Sequence, residues 1–156
     1  MSDADRVWEI AKHLDYCMFV TRFGQALRAR PMSTVVNKAK GHIYLLTNAG
    51  EPKELEIAKD PAVLLAYSNG SNLFLSVSGT ALITADRGLV KDIWSPGAQA
   101  FWPEGPDDPN VAVINVTPHS AEFWDGDSRV VSTVKFAVAL ATGTVPSFGE
   151  NKKVSL

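Results

Sequence analysis

Two arginines separated by a single residue are the first candidates for chemistry in this sequence: Arg28 and Arg30, followed directly by Pro31. Alternate residues of a β-strand share a face, so the two guanidinium groups would project the same way, about 7 Å apart. Like charges at this spacing are tolerated in solvent, and they are favoured where an anion bridges them. Pro31 cannot donate to a strand ladder, which indicates an edge or bulge whose backbone groups are free to meet a polar planar ligand. A solvated edge strand and an anion site both fit.

A lysine at the start of a predicted helix is the second candidate. The strand that ends at Thr47 is followed by a turn at Gly50 and by Pro52, a residue suited to the first position of a helix. Helix N-termini favour anions, so Lys53 in the first turn opposes the helix dipole unless an anion lies between them. The alternative is an ion pair with a neighbouring glutamate: Glu51, Glu54 or Glu56.

Aromatic residues form a third group, in a loop and at a strand end. Trp94, Phe101 and Trp102 lie in or beside a loop rich in proline and glycine, and Phe123-Trp124 closes a long apolar strand. A tryptophan at a strand end can cover an apolar ring or close a dimer interface. Filling of the core is the alternative, chiefly for Trp94.

Other reactive sites are disfavoured by the residues present. The sequence has neither a GxGxxG fingerprint nor a Walker lysine motif, and no nucleophile–base pair stands out. The single cysteine, Cys17, lies in an apolar run typical of a buried core residue. Three histidines are too far apart to share the spacing of metal ligands: His13, His42 and His119.

Length and composition indicate one domain. The chain has 156 residues, of which 46% are hydrophobic, and a formal net charge of −2 with both signs interspersed. Bulk charge therefore predicts neither a nucleic-acid partner nor a membrane partner. No apolar window reaches the roughly 20 residues of a membrane helix, and the acidic N-terminus does not resemble a signal peptide. We expect a single cytoplasmic domain over 1–156, with a C-terminal helix and tail from about 127.

The periodicity predicts six strands with short helices between some of them. The first helix is capped by Ser2 or Asp3, and the one opened by Pro52 should bury Leu55, Ile57 and Ala58. A short helix follows Asp86. A final helix is capped by Asp127 or Ser128 and reaches about residue 141. The predicted strands are 16–21, 26–36, 43–47, 63–67, 73–84 and 111–124. Closely spaced strands without βαβ alternation indicate a mainly β protein, a small antiparallel barrel with peripheral helices.

Taken in order, these segments resemble the FMN-binding split β-barrel superfamily of pyridoxamine 5′-phosphate oxidase, in its general stress protein branch. The likeness spans roughly residues 5 to 125, and its specificity comes from the order and spacing of short motifs. They are RARPM at 28–32, IYLLT at 43–47 leading to Lys53 and to EI at 56–57, LSVSG at 75–79, WSPGAQAFWPEGPDDP at 94–109 and EFW at 122–124.

The resemblance implies a six-stranded antiparallel Greek-key barrel that forms a homodimer, with two FMN sites at the subunit interface. By position, Arg28 and Lys53 would pair with the phosphate. The run Ala29, Arg30, Pro31 and Met32 would lie along the flavin ring and supply backbone hydrogen bonds. The resemblance further implies that Leu46 and Thr47 flank the ribityl chain and ring, and that Trp124 approaches from the partner subunit. Pro52 stands where relatives often carry a hydroxyl or an arginine, so riboflavin and FAD remain alternative ligands.

The resemblance also bears on activity. The oxidase carries an Arg-x-His motif soon after the tryptophan, whereas this chain reads DSRVV at 127–131. The missing histidine predicts that the protein does not oxidise vitamin B6. A flavin-dependent redox role in stress response is the first hypothesis. The alternatives are a flavin store or sensor without turnover, and a split barrel that binds another cofactor, such as a deazaflavin or haem, or serves as a dimeric interaction module.

Overall fold

The computed structural model describes residues 1–147 and 149–156, with the backbone alone at 129 and 130. The helices are α1 (Asp3–Leu14), α2 (Pro52–Lys59), α3 (Arg87–Asp92), α4 (Pro96–Phe101) and α5 (Arg129–Thr142). The strands are β1 (Tyr16–Phe23), β2 (Ala26–Ser33), β3 (Val35–Asn37), β4 (His42–Asn48), β5 (Ala62–Ser68), β6 (Leu73–Thr84), β7 (Val111–Asp125) and β8 (Glu150–Ser155). No helix of these described residues is long and apolar enough to cross a membrane.

All strands join one antiparallel sheet in the order β2-β1-β5-β6-β7-β4-β3, and β8 pairs with the far half of β7. The predicted class, mainly β with peripheral helices, is confirmed. The sheet curls without closing, because β2 and β3 remain at its two ends. The described residues form eight strands, where the sequence predicted six. The predicted strand 26–36 is interrupted at Thr34, whose backbone N–H and hydroxyl both donate to the carbonyl of Asp15 at 2.8 and 2.9 Å. The tail supplies the other extra strand, β8.

The main core lies between the inner face of the sheet and helices α1 and α2. Helix α1 begins at Ser2 with a capping box to Asp5, and it buries Val7, Ile10 and Ala11. A second, smaller core forms on the other face of β4 and β7, where Tyr44 and Val113 pack with residues of α3 and with Trp94 and Trp102. Both tryptophans of the loop region therefore pack against this core, which was the alternative for Trp94.

Helix α2 corrects one prediction about its inner face. Ile57 is buried as expected, but Leu55 is 65% exposed and Ala58 also faces solvent. The second buried residue of this helix is Glu56. The helix thus turns a carboxylate, rather than a second apolar side chain, toward the end of the barrel.

Gly79 marks an irregularity between β6 and β7, and its substitution should be costly. The register shifts between Ser78 and Gly79, and a Cβ added at Gly79 would lie 2.4 Å from the backbone oxygen of Thr117. We expect Gly79→Ala to lower the free energy of unfolding by about 2–3 kcal/mol in urea denaturation, because backbone must move. Gly97→Ala, whose Cβ would approach nothing nearer than 3.7 Å, is the control and should change it by less than about 1 kcal/mol. Equal effects of the two changes would contradict this reading of the bulge.

Candidate functional site

The two arginines of β2 point toward the inner side of the sheet. Arg28 pairs in register with Thr21 of β1, and Arg30 with Phe19, and both of these partners are buried. The alternate residues Ala29 and Pro31 lie on the outer face and are exposed. Within the described chain β2 pairs with β1 alone, so its other edge carries open backbone groups, as Pro31 predicted.

A buried carboxylate lies between the arginines. Glu56 of α2 is 2% exposed, and its oxygens lie 3.4 Å from Nη1 of Arg28 and 3.0 Å from Nη2 of Arg30. Arg30 also donates to the hydroxyl of Thr21 at 3.0 and 3.1 Å, and that hydroxyl donates in turn to Glu56. Arg30 is thereby committed to two partners, whereas Arg28 keeps 57% of its side chain exposed and has one distant ionic contact.

Glu56 is held in its charged form by these contacts. Burial disfavours the carboxylate and by itself would raise its pKa. The hydrogen bonds from Thr21 and Arg30, with the charges of Arg30 and Arg28, together outweigh burial and place the pKa below the ordinary value of 4.5. Glu56 is thus an anion at neutral pH, and it explains how two arginines on one face of a strand coexist.

Lys53 belongs to a second group of polar contacts, at the start of α2. Its ammonium donates to the carboxylate of Glu51, and the lysine side chain is only 12% exposed. Glu51 also accepts from the amide of Asn48 at 2.6 Å, and the oxygen of that amide accepts from the indole of Trp102 at 2.7 Å. A hydrogen-bonded chain therefore links the aromatic loop to Lys53. The local ion pair, one of the two sequence readings of Lys53, is formed here.

The two groups are close enough to influence each other. The pKa of Glu51 is lowered first by the hydrogen bond from Lys53 and then by that from Asn48, and the charge of Arg30 contributes as well. We therefore treat Arg28, Arg30, Lys53, Glu51 and Glu56 as one unit, called here the cationic cluster. It has one net positive charge, since three cations face two carboxylates.

The remaining predicted residues fall on different surfaces. Thr47 is buried, 2% exposed, and its hydroxyl has no hydrogen-bond partner among the described residues. Leu46 points to the opposite face of β4 and packs in the second core. Met32 packs against the main core. These three positions therefore do not share one surface.

Trp124 lies far from the cluster within one chain. It sits on the outer face of β7, 40% exposed, opposite Phe74. Three strands separate β7 from β2, which corresponds to about 19 Å along the sheet. A contact between Trp124 and a ligand at Arg28 would require a second copy of the chain, as the resemblance implies.

Sequence reasoning named Glu56 only as a possible partner of Lys53, and it missed the pairing of Glu56 with Arg28 and Arg30 as well as the link from Trp102 to Glu51. The signal for Glu56 was its place beside the buried Ile57, about one helical turn after Lys53. The described residues contain no group of three or more histidine, cysteine, aspartate or glutamate side chains that could hold a metal ion.

The open antiparallel sheet has the split-barrel fold of its structural neighbours, and the cationic cluster lies where its edge strand β2 meets the start of α2. Residues 2–147 match the model of the pyridoxamine 5′-phosphate oxidase-like family, and the chain belongs to that family. The resemblance found in the motifs is thereby confirmed.

Individual relatives agree with this assignment. The chain is 27% identical over 153 residues to protein bli-3 of Neurospora crassa, covering 90% of this chain and 73% of that protein. A candidate general stress protein 26 from Jannaschia sp. CCS1 is 26% identical, with a TM-score of 0.76 and coverage of 99% and 100% of the two chains. The general stress FMN/FAD binding protein of Xanthomonas citri is 25% identical, with a TM-score of 0.70 and coverage of 80% and 89%.

Proposed function

We propose that this protein binds FMN as a homodimer and holds the flavin phosphate between Arg28 and Lys53. The observation that carries the proposal is the cationic cluster on an edge strand, with Arg28 57% exposed and short of partners. A phosphate group carries up to two negative charges, and arginine and lysine are the residues that bind it. The similarity to the FMN/FAD binding protein of Xanthomonas citri supports the same ligand class.

The residues present fit a flavin in three respects. The hydroxyl of Thr47 is buried and has no hydrogen-bond partner in the part of the chain that the structure describes, as expected of a group that meets a polar ligand. The free edge of β2 offers backbone N–H and carbonyl groups to the heteroatoms of a ring. The net positive charge of the cluster suits a phosphate. A bound flavin would supply transfer of electrons or hydride, and the protein would supply binding and orientation.

The proposal gives each member of the cluster its own task. Arg28 and Lys53 bind the phosphate, and Glu56 with Arg30 fixes β2 against α2, so that Arg28 is held in place. Glu51 forms an ion pair with Lys53 when no phosphate is bound, and this ion pair must break when the phosphate binds. Trp124 reaches the ring from the partner subunit, which is why a dimer belongs to the proposal.

Glu51 should act as an internal competitor for phosphate. Glu51→Gln removes the carboxylate that pairs with Lys53, and we expect FMN to bind about tenfold more tightly while riboflavin is unchanged. Fluorescence quenching titrations of both flavins measure this ratio. Glu54→Gln removes the same charge from α2 without touching Lys53, and it should have a smaller effect. An unchanged ratio of FMN to riboflavin affinity in Glu51→Gln would show that Lys53 does not meet the phosphate.

We further propose a flavin-dependent redox role in stress response, in the cytoplasm, without vitamin B6 oxidation. The lone cysteine suits a reducing compartment, and the family's substrate histidine is missing from 127–131. One observation favours a flavin store or sensor instead: the carboxylates of the cluster are already engaged by its cations, which leaves none of them to move a proton.

Absorbance and reduction separate these possibilities. Purified protein should show a flavin band near 450 nm with one flavin per protomer, and anaerobic NADH or NADPH should bleach it. Stoichiometric flavin without bleaching by either nucleotide, and without turnover by other reductants, would favour the store. A colourless protein that does not quench added FMN would contradict the flavin proposal altogether.

A further inference from the structure

A helical arm connects the last two strands of the sheet. Strand β7 ends at Asp125 and β8 begins at Glu150, and these two residues pair in register, so the 24 residues 126–149 leave the sheet and return to the same place. Gly149 closes this base with a positive φ of 98°, where a Cβ would lie 2.4 Å from the backbone oxygen of Asp125. Helix α5 occupies most of this arm, which we define as residues 126–149.

The arm is internally braced. Lys135 of α5 donates to the carboxylate of Asp127 at 2.5 Å and to the carbonyl of Ser147 at 2.8 Å, so it ties the two ends of the arm together. Helix α5 is capped by Ser128 at its start and ends at Gly143 in the left-handed conformation. These contacts give the arm a defined internal structure.

The arm nevertheless exposes apolar side chains on opposite sides of α5. Val131, Val134 and Val138 share one face at helical spacing and are 43–58% exposed. Phe136 and Leu140, on the other face, are 55% and 72% exposed. No α5 side chain that the structure describes is buried. A helix with large apolar side chains on opposite faces is normally enclosed by protein, and the residues that the structure describes leave these side chains exposed.

The outer face of the sheet carries a matching apolar surface beside the base of the arm. Phe74 of β6 and Trp124 of β7 are directly opposed, and Trp124 precedes the arm by two residues. Tyr16 and Met18 of β1 share the same outer face, at 64% and 42% exposure. We call these four residues the sheet patch.

We propose that the arm docks on the sheet patch of a second copy of this chain, so that two arms embrace the dimer reciprocally. The inference rests on the homodimer of the proposed function and adds the segment that holds it together. A two-fold dimer uses the same surfaces on both subunits, so each chain supplies one arm and one sheet patch, and both apolar surfaces are covered at once.

The apolar area approaches the size that a stable dimer needs. One face of α5 can meet the patch, and its members Phe136 and Leu140 add to the four residues of the sheet patch. At about 100 Å² for each half-exposed large side chain, these six residues offer on the order of 600 Å² per protomer, against roughly 800 Å² per partner in a standard interface.

Charge favours a protein partner over a membrane surface. Helices that lie on membranes carry rows of lysine and arginine on their polar face. In its sequence the arm has two such residues, Arg129 and Lys135, and Lys135 is engaged by Asp127. A second copy of the chain is therefore the partner whose surface chemistry fits.

Sedimentation equilibrium of the full chain tests the inference. The double change Phe136→Asp with Leu140→Asp places two charges on the face of α5 that is proposed to dock. It should raise the dimer dissociation constant by at least about 100-fold, with helicity and melting temperature unchanged. Leu82→Asp is the matched control, because Leu82 is as exposed as Leu140 at 73% and lies about 26 Å along β6 from Phe74. It should leave the dimer intact.

Crosslinking tests where the arm docks. Chains carrying Leu140→Cys are mixed with tagged chains carrying Phe74→Cys and treated with a short bismaleimide. Native Cys17 should not interfere, because it is 4% exposed and burial raises its pKa to about 12. We expect a crosslink between the two kinds of chain, and none when Leu82→Cys replaces Phe74→Cys.

The outcomes distinguish the arm from the dimer itself. Two results would overturn the proposed docking of the arm and leave the proposed dimer unaffected. The first is a dimer dissociation constant that the double change leaves as in the wild type, and the second is equal crosslinking to Phe74→Cys and to Leu82→Cys. A monomeric wild type would overturn both. If the double variant loses helicity, replacement of residues 127–148 by a short Gly-Ser turn takes its place, with the same expectation. Binding of the wild type to vesicles rich in phosphatidylserine, in place of dimerisation, would assign the arm to a membrane and contradict the inference.

Discussion

The double change Arg28→Ala with Lys53→Ala is expected to weaken FMN binding by about 100- to 10,000-fold, while riboflavin loses less than about threefold. Each charge-assisted contact with a phosphate contributes about 1.5–3 kcal/mol, and two of them sum to about 3–6 kcal/mol. Riboflavin has no phosphate, so its affinity should change only through indirect effects of the two substitutions. Isothermal titration calorimetry with both ligands measures the difference.

A matched pair of cations provides the control. Arg22 is 57% exposed, as Arg28 is, and Lys59 lies on the same helix as Lys53 but at its other end. Arg22→Ala with Lys59→Ala removes the same net charge from the same strand pair and helix. It should change FMN affinity by less than about threefold through long-range electrostatics alone. An equal loss for FMN and riboflavin in the Arg28 and Lys53 variant would mean that the phosphate lies elsewhere.

Removal of the buried carboxylate of Glu56 should have a large effect on stability. We expect Glu56→Gln to lower the free energy of unfolding by about 2–3 kcal/mol, because Arg30 and the hydroxyl of Thr21 lose a charged partner while still mostly enclosed. Arg28 contributes little to this figure, since solvent screens its exposed guanidinium. Urea denaturation at pH 7 measures the loss. Glu9→Gln, at an exposed surface pair of 3.4 Å with Arg6, should change stability by less than about 0.5 kcal/mol.

The same carboxylate makes this contribution depend on pH. The pKa of Glu56 is lowered in the folded protein, so the unfolded chain binds the proton more readily. Its stabilisation is fully present above the ordinary value of 4.5 and disappears as the pH falls through the lower folded value. The difference between wild type and Glu56→Gln should therefore be constant from pH 7 to about 5.5 and shrink below about 4.5. A difference that grows on acidification would contradict the charged state of Glu56.

Local patterns predicted much of the fold. Ser2 caps α1, Pro52 opens α2 and Ser128 caps α5, as propensity and spacing indicated. The break at Thr34 could not be predicted, because it depends on the carbonyl of Asp15 from a distant turn. Strand β8 was hidden for a similar reason, since its polar sequence acquires strand structure only by pairing with β7.

In the candidate site, too, local sequence patterns predicted some features, while others depend on tertiary contacts. Alternation placed Arg28 and Arg30 on one face, and the proline after them correctly indicated an edge strand. Sequence spacing assigned an apolar inner face to α2, however, and so overlooked Glu56. A carboxylate becomes favourable at that buried position only when two arginines from another strand face it, and that is a tertiary fact. The same holds for Asn48, which joins Trp102 to Glu51 across 54 residues.

The most direct test of the central claim is a comparison of FMN and riboflavin on the wild-type protein. Both are titrated into flavin-free dimer at pH 7 and low salt, and the two dissociation constants are measured side by side. A phosphate held by Arg28 and Lys53 predicts that FMN binds at least about 100-fold more tightly than riboflavin, with one site per protomer. Equal dissociation constants for the two flavins, or no binding of either, would contradict it.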